Sequence, residues 1–189
     1  VTCITMTMFK YNYKTIADMD VSVLYAGDDA PNNALNLKIK NTSYNGLCYG
    51  VIKYDKTKLT EENTETTGLF RSVVYKNKKI IAIAPPKSTS YNTFMSQHQL
   101  SECDVEEYVE GTMINMFYDN DIEEWEIATR STVGGKTNYN ISRFSTLTFR
   151  DMFLEACNNA DFEFEVLDKT LCYSFVLQHP KNRIVVPFK

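Results

Sequence analysis

The chain has 189 residues, of which 43% are hydrophobic and 13% aromatic, and this composition excludes global disorder because it can fill a core. No apolar run approaches the roughly 18 residues of a membrane-spanning helix, so we expect no membrane partner. Residues 1–95 carry 12 cations and 8 acids, whereas residues 96–189 carry 8 cations and 16 acids. The net charge of −4 argues against a nonspecific nucleic-acid coat, which needs a basic stripe. A local phosphate-binding cluster, in contrast, needs only a few cations.

The cysteine pattern indicates reduced thiols in a cytoplasmic compartment. The cysteines are odd in number and widely spaced, without a C-x-x-C pair, so we expect neither a disulfide framework nor a zinc site. We expect these thiols to be buried. They are Cys3, Cys48, Cys103, Cys157 and Cys172. The first nine residues also lack the basic start and apolar block of a signal peptide.

In chain order, the first internal boundary is a polar, acidic loop between Asp55 and Gly68. Polar stretches without an apolar period usually connect structural units rather than fill a core. We therefore predict an N-terminal β-rich subregion over residues 1–60 and a main domain over residues 61–189.

Strand patterns dominate the rest of the chain. Three pairs of β-rich runs, each separated by a short polar turn, predict three hairpins. The pairs are 69–76 with 79–84, 112–118 with 125–130, and 171–178 with 183–188.

One helix is predicted near residues 149–160. Apolar side chains recur there at helical spacing, from Phe149 through Met152 and Phe153 to Ala160. Thr148 can cap the first turn, with Asp151 three residues later for the reciprocal hydrogen bond. Together, these elements predict an α+β fold of antiparallel sheets with few helices.

Several residues could carry chemistry, and each has an ordinary structural alternative. Lys87 follows a Pro-Pro stop at a strand end, where it could meet a phosphate or remain a solvated lysine. Glu110-Gly111 could approach a nucleotide or form a plain turn. The acids at 104–110 and 119–126 could bind Mg²⁺, although a solvated acidic face is the better interpretation. Trp125 is interpreted as core or interface filling rather than a base-stacking platform.

Four segments, taken in order, point to a function. The first two are Phe70-Arg71-Ser72-Val73-Val74 and Ile83-Ala84-Pro85-Pro86-Lys87-Ser88-Thr89-Ser90-Tyr91-Asn92. The third is Glu110-Gly111-Thr112-Met113-Ile114, followed by Thr129-Arg130-Ser131, and the fourth ends in Pro180-Lys181-Asn182-Arg183-Ile184-Val185. Their order resembles the A-R-G, R-P-x-x-K-F-F-N, K-x-D-G-S-L with S-K-G, and P-x-N-R-I-V motifs of the bacteriophage-type RNA ligases, within the covalent nucleotidyltransferase superfamily.

The resemblance covers residues 69–188 and implies the nucleotidyltransferase fold, with ATP and Mg²⁺ as cofactors. In the family, a lysine attacks the α-phosphate of ATP, and the lysyl-AMP passes AMP to an RNA 5′-phosphate. By the resemblance, four cations face phosphates or the RNA 5′ end, Glu110 contacts the ribose and Gly111 lets the backbone approach the nucleotide. The cations are Arg71, Lys87, Arg130 and Arg183. The resemblance also suggests a large DNA virus as the source.

Three of these cations keep structural alternatives. Arg71 could pair with an acid across its hairpin. Arg130 could be a surface cation beside Glu126. Asn182 and Arg183 could lock the third turn through backbone hydrogen bonds.

The chain departs from the family where the chemistry happens. The nucleophilic lysine lies three positions before the glycine, and that position holds Tyr108. No lysine occurs from Ser88 to Gly135, so no neighbour replaces it. A tyrosine hydroxyl with its ordinary pKa near 10 is a poor nucleophile. We therefore predict that the chain does not form a covalent adenylate.

Three functions follow as hypotheses. The first is a ligase-derived domain without ligase chemistry that binds a nucleotide, an RNA 5′ end or a protein partner. The second is a structural role, for instance as a component of a virion. The third is an active ATP-dependent RNA ligase whose missing motifs, E-G-x-V and K-x-K, lie further along the chain.

Overall fold

The computed structural model describes residues 35–107, 109–137 and 147–182, together with Ile16 and the 3₁₀ turn Val21–Tyr25. In these residues the fold is α+β, as predicted: seven strands form two antiparallel sheets, accompanied by two α-helices. The strands are β1 Leu37–Tyr44, β2 Leu47–Tyr54, β3 Val73–Lys76, β4 Lys79–Ile83, β5 Thr112–Asp119, β6 Glu124–Ala128 and β7 Tyr173–Leu177. The helices are α1 Tyr91–Gln97 and α2 Phe149–Asn159. Neither helix has the length and apolar character that a membrane crossing requires.

The four-stranded sheet has the order β1-β2-β3-β4. The predicted hairpin of β3 and β4 is confirmed, and its turn residues Asn77 and Lys78 have φ of +51° and +65°, as a tight primed turn requires. The β1–β2 hairpin was not predicted, although its Asn45-Gly46 turn, with φ of +49° and +76°, carries the most typical hairpin sequence.

The pairing of β2 with β3 joins strands from both sides of the predicted boundary at residues 60 and 61. Val51 pairs with Val74, and Ile52 pairs with Val73. One continuous sheet therefore includes strands of the N-terminal subregion and of the main domain.

The three-stranded sheet has the order β6-β5-β7. The predicted second hairpin is confirmed, but β6 ends at Ala128, so Thr129 and Arg130 lie in the following turn rather than in a strand. The turn forms because Thr129 donates its backbone N–H to the carbonyl of Thr132 at 2.9 Å. In the third predicted hairpin, β7 is present, and its partner run 183–188 lies outside the described residues.

Helix α2 forms as the sequence predicts. Thr148 accepts a hydrogen bond from the N–H of Asp151, and the Asp151 carboxylate accepts one from the N–H of Thr148, which completes a capping box. The apolar side of the helix, including Met152 and Phe153, is buried against the three-stranded sheet. This burial, rather than intrinsic propensity, supplies most of the stability of such a helix.

Three hydrophobic clusters connect the layers. The first packs the 21–25 turn onto one face of the four-stranded sheet, through Val21, Leu24, Ile52 and Val73. The second lies between the two sheets, through Tyr49, Val51, Val74, Phe117 and Ala128. The third lies between the three-stranded sheet and α2, through Ile114, Met116, Ile127 and Phe153. The two sheets therefore face each other across a shared core.

The expectation of buried thiols is confirmed only for Cys157, whose burial raises its pKa to about 11. Cys103 is half-buried. For Cys48 and Cys172 the expectation is wrong, since both side chains are exposed: Cys48 lies beside the solvent-facing Asn45-Gly46 turn, and Cys172 directly precedes β7. These four thiols are free, and Cys3 lies outside the described residues.

Candidate functional site

Two cations meet where β2 lies beside the turn that follows β6. Arg130 donates from Nη2 to the backbone carbonyl of Tyr54 at 3.0 Å, and its guanidinium lies 4.6 Å from the centre of the Tyr54 ring. Lys53 donates from Nζ to Ser131 Oγ at 2.7 Å. Both cations are half-buried, so the two sheets hold them in place rather than leaving them in solvent.

Among the described residues, no carboxylate pairs with the positive charges of Lys53 and Arg130. Burial lowers the pKa of Lys53, and repulsion from Arg130 lowers it further. The Nε of Arg130 is buried without a hydrogen-bond partner. Within the described part of the chain, neither side chain forms an ion pair. An anion beside these two cations would relieve the repulsion between them.

The backbone of Arg71 lies close to the segments that carry Lys53 and Arg130. Its neighbour Phe70 accepts the backbone N–H of Tyr54 at 2.7 Å, and its other neighbour Ser72 lies 3.5 Å from the carbonyl of Thr129, measured from Oγ. The residues on either side of Arg71 thus contact the neighbours of Lys53 and Arg130. We call Lys53 and Arg130, whose charges repel each other, the cation group.

Lys87 is exposed and bonds locally. Its Nζ donates to the carbonyl of Ser88 at 2.8 Å and to Ser88 Oγ at 3.2 Å. Its backbone N–H donates to the carbonyl of Gly68 at 3.0 Å. This bond holds the segment after β4 against the residues that precede Arg71. The lysine is therefore placed near the start of β3 but reaches solvent.

Glu110 and Gly111 lie at the start of β5, against β7. The carbonyl of Glu110 accepts from Gln178 Nε2 at 2.9 Å. A Cβ at Gly111 would lie 2.5 Å from the carbonyl oxygen of Leu177 and 2.7 Å from Val176 Cγ1. Strand β7 therefore occupies the space that the missing side chain of Gly111 leaves.

Two predicted site residues, Tyr108 and Arg183, lie outside the described residues. Asn182, which precedes Arg183, donates from Nδ2 to the carbonyl of Leu177 at 3.2 Å and to Thr112 Oγ1 at 3.0 Å. Its backbone N–H also donates to the carbonyl of His179 at 2.8 Å, so Asn182 holds this turn as one alternative predicted, whereas the part of that alternative that concerns Arg183 lies outside the described residues.

The acidic stretch 119–126 is not a solvated face throughout, because Asp119 is buried between the sheets. Tyr49 donates its hydroxyl to Asp119 Oδ2 at 2.6 Å, and Lys76 donates to the same oxygen at 2.5 Å. Burial disfavours charge on Asp119, but the hydrogen bonds from Lys76, Tyr49 and the N–H of Asp121 outweigh it and hold its pKa below the ordinary value. Burial and the bond to Asp119 raise the pKa of Tyr49, so this hydroxyl stays neutral.

Glu126 is the second buried acid of this stretch, and its partner is Arg150 rather than Arg130. Arg150 donates from Nη1 to Glu126 Oε2 at 3.0 Å. Burial raises the pKa of Glu126, and Arg150 offsets only part of the rise. The strand register explains why both acids are buried. Glu126 pairs with Phe117, so Glu126, Phe117 and Asp119 lie on the face of the sheet that is turned toward the four-stranded sheet.

Trp125 packs against the hydrophobic core, as interpreted from the sequence. Its ring meets those of Tyr118 and Tyr173 edge-to-face, with ring centres 5.4 and 5.8 Å apart. Among the described residues, no three His, Cys, Asp or Glu side chains are grouped to hold a metal ion. Lys53 is the one member of the cation group that sequence reasoning missed, since it lies in the unpredicted β1–β2 hairpin.

No protein-family model, no curated protein and no solved structure matches this chain. The relationship to RNA ligases therefore stays a prediction from the four sequence segments.

Proposed function

We propose that this chain is an RNA-ligase-like domain without ligase chemistry, which binds the phosphates of a nucleotide or of an RNA 5′ end at the cation group. The observation that carries the proposal is the pair of half-buried cations, Lys53 and Arg130, held side by side without a carboxylate among the described residues. Such an arrangement is unfavourable until an anion binds, and a phosphate supplies the charge and the acceptor oxygens that the pair lacks.

The proposal excludes turnover because a tyrosine stands where the resemblance places the attacking lysine. Tyr108 occupies the position of the attacking lysine, and no lysine lies between Ser88 and Gly135. The buried acids of the 119–126 stretch are engaged by Lys76 and Arg150. Mg²⁺ would therefore enter with the phosphates of ATP rather than occupy a site of its own.

Calorimetry with ATP, 5′-phosphorylated RNA and the matching 5′-hydroxyl RNA tests the binding. We expect the phosphorylated RNA to bind more tightly than the hydroxyl form. Lys53→Gln and Arg130→Gln should each weaken phosphate binding by about tenfold or more, the value of one charge-assisted hydrogen bond.

Lys79→Gln is the matched control, because Lys79 is an exposed lysine at the start of β4 and should leave the affinity unchanged. The absence of heat from both ATP and phosphorylated RNA would remove the proposed binding function. An equal loss in the control variant would assign the binding to general charge instead of the cation group.

Incubation with α-labelled ATP tests the absence of chemistry. We expect no label on the protein after denaturation. A covalent label that Tyr108→Phe abolishes would identify an active nucleotidyltransferase. It would contradict the proposed absence of chemistry and leave the proposed phosphate binding intact.

A structural role, for instance in a virion, is the second candidate function. It is favoured by exposed apolar side chains between residues 91 and 109, such as Tyr91 and Val105, which suit an assembly surface better than an RNA cleft. Stoichiometric amounts of the chain in purified particles would support this role, and absence from particles would end it.

A further inference from the structure

Helix α1 rests on the body of the protein through one side only. It has no buried residue. Thr93 donates to Glu61 Oε2 at 3.2 Å, and Gln97 donates to Glu65 Oε1 at 3.4 Å. Thr93 and Gln97 are one turn apart and therefore share a face, and both side chains bond to the 61–66 turn.

The other side of α1, and the segment after it, expose apolar side chains. Tyr91 is 73% exposed, Phe94 36%, Leu100 56% and Val105 79%. Tyr91 and Phe94 are three residues apart and lie on one helix face. Exposed apolar side chains that cluster in this way mark interaction sites more often than single scattered ones do.

The same region is uniformly acidic. No Lys or Arg occurs from Ser88 to Thr129. Exposed acids lie among the apolar side chains of the segment after α1, and we call these acids together with the exposed apolar side chains the α1 surface. Its acids are Glu102, Asp104, Glu106 and Glu107, and its apolar members are Tyr91, Phe94, Leu100 and Val105. Glu61 and Glu65 bond to the other side of the helix, through Thr93 and Gln97.

We propose that the α1 surface docks a segment of another protein that carries Lys or Arg among apolar side chains. Carboxylates attract the cations, and the exposed ring of Tyr91 accepts them over its face. Phe94, whose ring centre lies 4.5 Å from that of His98, adds apolar contact area. Nucleic acid and anionic lipid carry the same sign of charge as this surface and are repelled by it. The docking function goes beyond phosphate binding and uses no residue of the cation group.

A second copy of this chain would oppose like charges if it docked through the same α1 surface. Two other strongly exposed apolar side chains of the described residues also adjoin acids: Leu154 precedes Glu155, and Val166 follows Glu165. We therefore take the partner to be a basic segment of another protein, and self-association is the outcome of the test that would overturn this choice.

Fluorescence anisotropy with a labelled amphipathic helix made of leucine and lysine tests the proposal. We expect the full chain to bind this peptide and not the peptide in which glutamate replaces lysine. Val105→Ser/Glu106→Lys and Tyr91→Ser/Phe94→Ser should each weaken binding by about tenfold, which corresponds to about 1.4 kcal/mol. Both variants alter exposed side chains, so unchanged circular dichroism verifies that they fold.

The matched control is Val166→Ser/Glu165→Lys, which makes the same changes at a valine that is 73% exposed. Its affinity should stay within about twofold of the original chain. Three outcomes would overturn the proposal: no binding of the lysine peptide, equal binding of the glutamate peptide, or an equal loss in the control. Self-association in the ultracentrifuge that Val105→Ser/Glu106→Lys abolishes would assign the surface to a second copy and also overturn it.

Discussion

At the scale of single residues, Glu126 makes the folded state sensitive to pH. Because burial raises its pKa, the folded chain keeps this proton to a higher pH than the unfolded chain does. The folded state binds more protons in that window, so the free energy of unfolding falls as pH rises above the ordinary value of 4.5. We expect Glu126→Gln to remove this part of the pH dependence, measured by urea denaturation across the acidic range. An unchanged slope would contradict the assignment.

Arg150 is the residue that makes a charged Glu126 tolerable. We expect Arg150→Met to lower the free energy of unfolding by about 3 kcal/mol at neutral pH, because it leaves a buried carboxylate without its partner. The double variant Arg150→Met/Glu126→Gln should recover most of this loss, since it removes the unpaired charge as well. Urea denaturation of the four proteins gives the coupling, and additive losses would show that the two side chains do not depend on each other.

At the scale of elements, the two helices should respond differently to loss of their N-caps. Thr148 caps α2, which buries an apolar side, whereas Ser90 caps α1, which has no fully buried residue. We expect Thr148→Ala to cost about 1 kcal/mol of global stability. Ser90→Ala should leave global stability unchanged, because α1 can open locally without disturbing the core.

Thermal unfolding measures the first effect, and amide hydrogen exchange at residues 91–97 measures the second. A comparable fall in global stability from both variants would show that α1 belongs to the cooperative core.

Local signals account for the elements that the sequence predicted. The cap residue Thr148 with Asp151, and the polar turn between β3 and β4, depend on residues a few positions apart, so pattern alone finds them. The β1–β2 hairpin was equally local and was overlooked, although Asn45-Gly46 marks it. Recognition of that hairpin would have placed Lys53 on a strand, but not beside Arg130.

At the scale of the whole molecule, we expect one cooperative unfolding transition. The four-stranded sheet continues across the predicted boundary at residues 60 and 61, and the cluster between the sheets draws on both of them. Trp125, the single tryptophan, lies in the three-stranded sheet, so its fluorescence reports that sheet, while far-UV circular dichroism reports all elements. The two urea curves should coincide. Two separated midpoints would instead support an independently folding N-terminal unit.

The contacts that define the site were beyond sequence reasoning because they join distant segments. Lys76 meets Asp119 across 43 positions, and Arg130 meets Tyr54 across 76. Only the stacking of two sheets brings such residues together, and no periodicity within one segment specifies that stacking. The acids of the 119–126 stretch therefore looked solvated until the strand register showed which of them face the core.

The contact of Gly111 with β7 bears on whether this glycine can serve as a sequence marker of enzymatic activity. A side chain at this position would collide with the carbonyl of Leu177, so folding alone is enough reason for selection to retain the glycine. The glycine can therefore be retained whatever residue stands three positions earlier, where this chain has Tyr108. A genome survey that scores this glycine as a mark of turnover would in this chain be scoring a packing requirement between two strands.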